Sequence, residues 1–221
     1  MSVVRIITRT LAGLLSTRGV ARIALPGGRS AIQLMTELSQ AEIDWSSVSV
    51  TLVDERAVDM SSSASNARLV LETLCVNRAA TVKFEPLFVA HTALASADLL
   101  NQADSPLDIV VLGMGEDGHF ASLFPNQNPV AGLDDTFDGF VATDSVGSPM
   151  VPRISMTLTR ILSAQLVILL VSSEEKKDRV MTGLQRLDPM NPVSYLLQAN
   201  HPLWVEWPDG TANLMQQGAV Q

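Results

Sequence analysis

The sequence predicts an α/β fold: a mostly parallel sheet with helices on both faces. Three observations predict it. Strand-like and helix-like segments alternate along the chain. Two of the strand-like segments, LDIVVL at 107–112 and QLVILLV at 165–171, are apolar nearly throughout, as strands buried on both faces are. No repeat of fixed period and no linker-like stretch breaks the pattern, so residues 1–221 read as a single domain.

The elements follow in order. Val3, Ile7, Leu11 and Leu14 recur at helical spacing, which makes residues 2–17 an amphipathic helix ended by Gly19. ARIAL at 21–25 is a short strand, Pro26-Gly27-Gly28 a sharp turn, and residues 30–38 a helix with Ala31, Leu34, Met35 and Leu38 on one face. SVSVTLV at 47–53 is the next strand, followed by helices over 65–75 and 92–102 and the strand 107–112. After the strand 165–171, residues 173–187 form a helix through Val180, Leu184 and Leu187, and LWVEW at 203–207 closes the series as a strand.

Composition narrows the function. Of 221 residues, 47% are hydrophobic and 17% charged, which excludes disordered, collagen-like and coiled-coil chains. The net charge is −8 and no Lys/Arg run matches a polyphosphate backbone, so no nucleic-acid partner is expected. A small anion remains compatible, because a few basic groups can make a local positive pocket in an acidic protein. The apolar runs have strand length, well short of the ~20 residues that span a bilayer, so a soluble, cytoplasmic protein without a membrane partner is expected. Cys75, the single cysteine, forms neither an internal disulfide nor a cysteine-rich metal site, and in LVLETLC it reads as a buried small side chain. Arg5, Arg9, Arg18 and Arg22 precede the first acid, Glu37, as in a transit peptide, but the helical spacing favours an ordinary first helix.

In open α/β sheets, ligands bind beyond the carboxyl ends of the strands, and three such loops carry candidate chemistry. In Pro26-Gly27-Gly28-Arg29-Ser30, two glycines let backbone N–H groups approach an anion, and the next helix adds its positive end. Ser30 and Gln33 have capping-box spacing, so Ser30 is expected to cap that helix, alone or while offering its hydroxyl to a phosphate. The second strand ends in the charged triplet Asp54-Glu55-Arg56. The third loop, Gly113-Met114-Gly115-Glu116-Asp117-Gly118-His119-Phe120-Ala121-Ser122-Leu123-Phe124-Pro125, formally contains G-x-G-x-x-G. A dinucleotide site needs a long helix after the glycines and an acid at the end of the following strand. Pro125, Asn126 and Pro129 interrupt any such helix, and Asp134, Asp135 and Asp138 precede the next apolar segment, FVATDSV.

What this loop offers instead is an imidazole, His119, two residues after a carboxylate, Asp117. Histidine suits proton transfer near neutrality, and a nearby carboxylate fixes its tautomer and steadies its charged form. His91 and His201 lack such company and read as structural or exposed. Arg153, in SPMVPRISMTL, and Lys176-Lys177, opening a helix, are further cations; those in a helix's first turn oppose its dipole unless an anion compensates.

Together, PGGRSA, DERAV followed by Ser65-Asn66, GMGEDGHFASLFP, VPRISMTLT and VSSEEK resemble the 6-phosphogluconolactonase family in content and order, over most of the chain. Related glucosamine-6-phosphate deaminases share the G-x-G-x-D-G-H core but continue into Asn-Glu-Pro, where this chain has Ala-Ser-Leu-Phe-Pro. The resemblance implies a three-layer fold of the deaminase/ribose-phosphate isomerase type. It also implies hydrolysis of a small sugar-phosphate lactone, 6-phosphoglucono-δ-lactone, in the oxidative pentose phosphate pathway, with no cofactor and no metal. By the same resemblance, His119 is the general base, Asp117 its orienting partner and Arg56 the group that stabilises charge on the carbonyl oxygen. Gly27, Gly28, Ser30, Asp54, Arg153 and Lys176 then bind substrate, its phosphate above all.

The chain departs from the family in places: Pro26, Arg29, Ser30 and Ala31 stand where Ser-Gly-Gly-Ser-Thr-Pro is usual, Ser173 replaces a Gly, and Pro192-Val193-Ser194-Tyr195 replaces Pro-Ala-Ser-Arg. The rival expectations are an amino-sugar-phosphate deaminase or isomerase and a non-catalytic sugar-phosphate-binding protein. Oligomeric state stays open between monomer and weak dimer.

Overall fold

The computed structural model describes residues 2–103, 105–125, 132–133, 137–208 and 210–214; Asn126, Pro129, Asp134 and Asp135 lie outside them. Helix α1 (Val3–Arg18) starts at Ser2, whose side chain accepts a hydrogen bond from Arg5 N, and stops at Gly19, whose φ of 74° is the left-handed conformation that ends helices. Its apolar face, Val3, Ile6, Ile7, Leu11 and Leu14, is buried. The chain then forms β1 (Ala21–Leu25), α2 (Arg29–Ser39), β2 (Val48–Leu52), β3 (Asp54–Arg56), α3 (Asn66–Thr73), β4 (Lys83–Phe84), α4 (Ala93–Leu100) and β5 (Ile109–Leu112). After these come β6 (Phe140–Val146), β7 (Val151–Met156), α5 (Leu158–Leu162), β8 (Leu166–Leu170), α6 (Glu174–Gln185), α7 (Val193–Gln198), β9 (Leu203–Trp207) and β10 (Gly210–Asn213).

Seven strands form one sheet in the order β10-β9-β8-β5-β1-β2-β4. Every neighbouring pair is parallel except β9–β10 at the edge, and helices cover both faces, as the alternation predicts. All described side chains of β5 and β8 are buried, which explains their unbroken apolar lettering. Burying each large aliphatic side chain contributes about 1.5–3 kcal/mol, so these central strands anchor the core. No helix among the described residues is long and apolar enough to cross a membrane.

The order contains a reversal that creates the site. From β1 the chain moves to β2 on one side, whereas β5 pairs with β1 on the other. The loops after β1 and β5 therefore diverge from adjacent strands and leave a crevice between them.

A second, three-stranded antiparallel sheet, β3-β7-β6, is not foreseen by the sequence reading. β3 is the charged triplet itself: one residue after β2 ends, the chain leaves the main sheet and pairs with β7 in the register Asp54↔Ser155, Glu55↔Ile154, Arg56↔Arg153. That pairing brings residue 153 beside residue 56.

The start of α2 also differs from expectation. Gly28 occupies the cap position with φ 84° and no side-chain cap bond is made, so Ser30 is the second helical residue and not the cap. The capping-box partner, Gln33, donates instead to Glu37 Oε1 at 2.8 Å. The positive φ, which only glycine adopts freely, turns the chain sharply enough to start the helix early.

Candidate active site

The crevice is a cavity of about 470 Å3 at the carboxyl ends of β1, β2, β5 and β8. Eight of the nine residues singled out from sequence line it: Gly27, Gly28, Ser30, Asp54, Arg56, His119, Arg153 and Lys176. The ninth, Asp117, reaches it through His119. Arg29, Asn66, Gly115 and Ser172 join the lining without having been singled out for a role.

The turn after β5 carries the proton-transfer candidate. His119 Nδ1 lies 2.5 Å from Asp117 Oδ1, and His119 N also donates to that oxygen at 3.2 Å. With Nδ1 engaged as donor, Nε2 is the ring nitrogen left to the cavity. The ring stacks on Phe124, centroids 4.0 Å apart, so its plane is fixed as well as its edge. Burial opposes ionisation of Asp117, but the hydrogen bond and charge of His119 outweigh it and hold this carboxyl below the usual range. Gly115 makes the arrangement fit: a Cβ there would sit 2.2 Å from His119 Cε1 and 2.3 Å from Nδ1.

The charged triplet supplies a second group of contacts. Glu55 is buried and accepts from the backbone N of Arg56, Asn66 and Ala67 at 2.7, 2.8 and 2.7 Å, and from Ser65 Oγ at 3.1 Å. Burial nonetheless pushes its pKa up. Its carboxylate thus ties β3 to the first turn of α3 and delivers Asn66 to the cavity. Arg56 Nη1 donates to Asn66 Oδ1 at 2.6 Å and to Ala64 O at 2.9 Å, while Asn66 Nδ2 donates to Asp54 O at 2.9 Å. Asp54 Oδ2 accepts from Ser122 Oγ at 2.5 Å. Asn66 is the orienting residue that sequence reasoning missed; its presence in the Ser65-Asn66 motif was the available signal.

Arg153 is buried under this group. Its Nε donates to Val146 O at 3.1 Å and Nη2 to Pro149 O at 3.2 Å, its guanidinium lies over the Phe124 ring, and Nη1 is 3.9 Å from Asp54 Oδ2. Burial first, and the charge of Arg56 second, lower its pKa, against the pull of Asp54 and Glu55. Like charges at directly paired strand positions are unfavourable, so two adjacent guanidiniums at the cavity wall favour an anion there.

At the other wall, Ser173 caps α6 and Lys176 stands in its first turn, its Nζ donating to Ser172 Oγ at 3.1 Å. Burial lowers the Lys176 pKa, Glu116 raises it and Arg29 lowers it. The cavity therefore has an oriented imidazole at one place and cations from β3, β7 and α6 around it. Among the described residues no group of three or more His, Cys, Asp and Glu side chains is arranged to hold a metal ion. His91 is exposed, and His201 Nδ1 contacts Pro202 O at 2.9 Å, away from the cavity. Cys75 is only half-buried, and burial raises its pKa.

A family model described as glucosamine-6-phosphate isomerases/6-phosphogluconolactonase matches residues 1–205. The chain is 36% identical over 200 residues to a 6-phosphogluconolactonase of Mesorhizobium japonicum, covering 87% of this chain and 84% of that protein. It is 38% identical over 194 residues to one from Neisseria meningitidis serogroup A, covering 83% and 84%. The fold superposes on the crystal structure of a 6-phosphogluconolactonase from Shewanella baltica with a TM-score of 0.84 at 34% identity, covering 91% of this chain and 89% of that one.

Proposed function

The chain belongs to the glucosamine-6-phosphate isomerase/6-phosphogluconolactonase family, and from that premise we propose that it hydrolyses 6-phosphoglucono-δ-lactone to 6-phosphogluconate. The observation that carries the proposal is the Asp117–His119 pair, with Nε2 left to a cavity ringed by Arg56, Arg153 and Lys176. An ester hydrolase needs a base beside water, a positive group beside the carbonyl oxygen and a means of holding the substrate. The Asp117–His119 pair, Arg56 and the cations around the cavity support this assignment.

In the proposed mechanism, Nε2 of His119 removes a proton from a water as its oxygen bonds to C1 of the lactone. Asp117 stabilises the imidazolium that results. Negative charge collects on the former carbonyl oxygen and is met by the Arg56 guanidinium, which Asn66 holds in place. The C1–O5 bond then breaks, and the ring oxygen takes the proton back from His119 to become the C5 hydroxyl. The phosphate is gripped by Arg153 and Lys176, by the Ser30 hydroxyl and by backbone N–H groups after Gly27 and Gly28. As proposed, the reaction needs no cofactor. The proposal extends to residues 1–221 acting as one domain and to a cytoplasmic step of the oxidative pentose phosphate pathway.

The segment after His119 favours this reading over the deaminase one. Its Phe124 stacks on the imidazole and its Ser122 holds Asp54, so Ala-Ser-Leu-Phe-Pro is built into the site. The test is lactone hydrolysis followed against its spontaneous background. Wild-type protein should exceed background, and His119→Ala should lower kcat/KM by at least ~10²-fold, the usual scale for a general base. Wild-type protein that never exceeds background rejects the lactonase reading.

A further inference from the structure

The turn that carries Asp117 and His119 is held from two sides. Gly115 and His119 line the cavity, and the turn closes on itself through Gly115 N to His119 O at 2.8 Å and Gly118 N to Gly115 O at 3.1 Å. The carbonyls on either side of Asp117 have other partners. Glu116 O accepts from Arg179 Nε of α6 at 2.9 Å, and Gly118 O accepts from Val193 N, the first residue of α7, at 2.9 Å. Asn191 joins the two contacts. It is buried, its Nδ2 donates to Arg179 O at 2.9 Å, and its Oδ1 packs so tightly on Gly118 that a Cβ there would lie 2.1 Å from it.

The peptide ahead of Asp117 and the one after Gly118 are thus fixed from outside the cavity, and the peptide between them is bonded through Gly118 N to Gly115 O, which leaves the Asp117 carboxylate little freedom. We propose that Arg179 is a positioning residue for the Asp117–His119 pair, keeping the carboxylate aimed at Nδ1 through its bond to Glu116 O. The proposal rests on His119 acting as the base. Arg179 does not line the cavity, is exposed, and its guanidinium makes this one hydrogen bond among the described residues. Its effect therefore travels through the turn and leaves phosphate binding aside. The Pro192-Val193-Ser194-Tyr195 segment gains a role in the same way: proline has no N–H, so Val193 offers the first one, and Gly118 O takes it.

Arg179→Ala and Arg179→Gln form the test, since glutamine places an N–H donor the same number of bonds from the backbone as arginine Nε but carries no charge. Because Arg179 is exposed, both variants should fold. With 6-phosphoglucono-δ-lactone, Arg179→Ala should lower kcat about ten-fold with KM within about two-fold, a fraction of the ~10²-fold that a 1 Å misplacement costs. Arg179→Gln should restore most of kcat. In proton NMR of the unliganded protein, the downfield His119 Nδ1–H resonance should broaden or move upfield in Arg179→Ala and return in Arg179→Gln. An unchanged kcat in Arg179→Ala, a rise in KM in place of the loss of kcat, or failure of glutamine to rescue would overturn the proposal. If wild-type protein lacks lactonase activity, the lactonase reading fails, and the NMR comparison alone decides whether Arg179 orients the pair.

Discussion

Replacing Gly115 by alanine perturbs the Asp117–His119 pair and leaves in place the cations proposed to hold the phosphate. The new Cβ would lie 2.2 Å from His119 Cε1, about 1.2 Å short of the 3.4 Å at which ordinary contact begins. The backbone of the turn is pinned at Glu116 and Gly118, so the ring is the part that gives way. Its side chain is 27% exposed, which leaves it an outward path. A shift of this size separates Nδ1 from Asp117 and moves Nε2 off the attacking water, and misplacement by about 1 Å costs about 10²-fold. Gly115→Ala should therefore lose about 10²-fold in kcat while KM, set at the phosphate end, stays within about three-fold. Crowding a partly exposed ring costs about 1 kcal/mol, or about 2–4 °C in melting temperature for a chain of this length. The assay is acid release from the lactone over background, on protein whose melting curve is checked first. A folded Gly115→Ala enzyme with wild-type kcat would refute the claim that the position of this imidazole sets the rate.

Two further outcomes separate the cations. Arg56→Ala should lower kcat by about 10²-fold, the scale of losing one group that meets the developing oxyanion, whereas Arg153→Ala should act mainly on KM, by about ten-fold or more. Equal loss of kcat at unchanged KM in both would remove this division of labour. Lys176 gives a pH signature: in the proposed grip on the phosphate its ammonium is the charged group, and because its pKa is lowered in the folded protein the charge is lost sooner as pH rises than the ~10.4 of a free lysine implies. Affinity for 6-phosphogluconate, measured by calorimetry, should weaken as pH climbs through that lowered value and should stay flat in Lys176→Arg; a flat wild-type profile would contradict it.

Much of this was legible in the residues. The strands β5 and β8 stand out because a strand buried on both faces must be apolar throughout, β1, β2 and β9 as short, mostly apolar runs with strand length, and helices α1, α2, α3, α4 and α6 because their faces keep helical period. The small sheet was not legible. Its β3 is three charged residues and its β7 opens with Val-Pro-Arg, so neither shows the pattern that burial writes into longer strands. The six-residue α7 is too short for its periodicity to show. Within the site, His119, Asp117 and the triplet that holds Arg56 stand out by residue type and position at the strand ends, whereas Arg153 and Lys176 gain a role only from the family resemblance. Asn66, Phe124 and Asn191 could not be given roles, because each acts on a partner 5 to 73 positions away that only tertiary packing supplies. Ser30 shows the reverse error: its capping spacing was real, but the conformation of Gly28 decided where the helix begins.

The reversal of strand order between β1 and β5 has an evolutionary corollary. The notch it opens is a product of chain routing, so drift in the letters at its rim can retune what is held there without erasing the hollow itself. Residues 26–31, already re-lettered from the family's habit, are the natural place to redesign anion preference, whereas rewriting the apolar strands beneath would endanger the chassis before it altered the cargo.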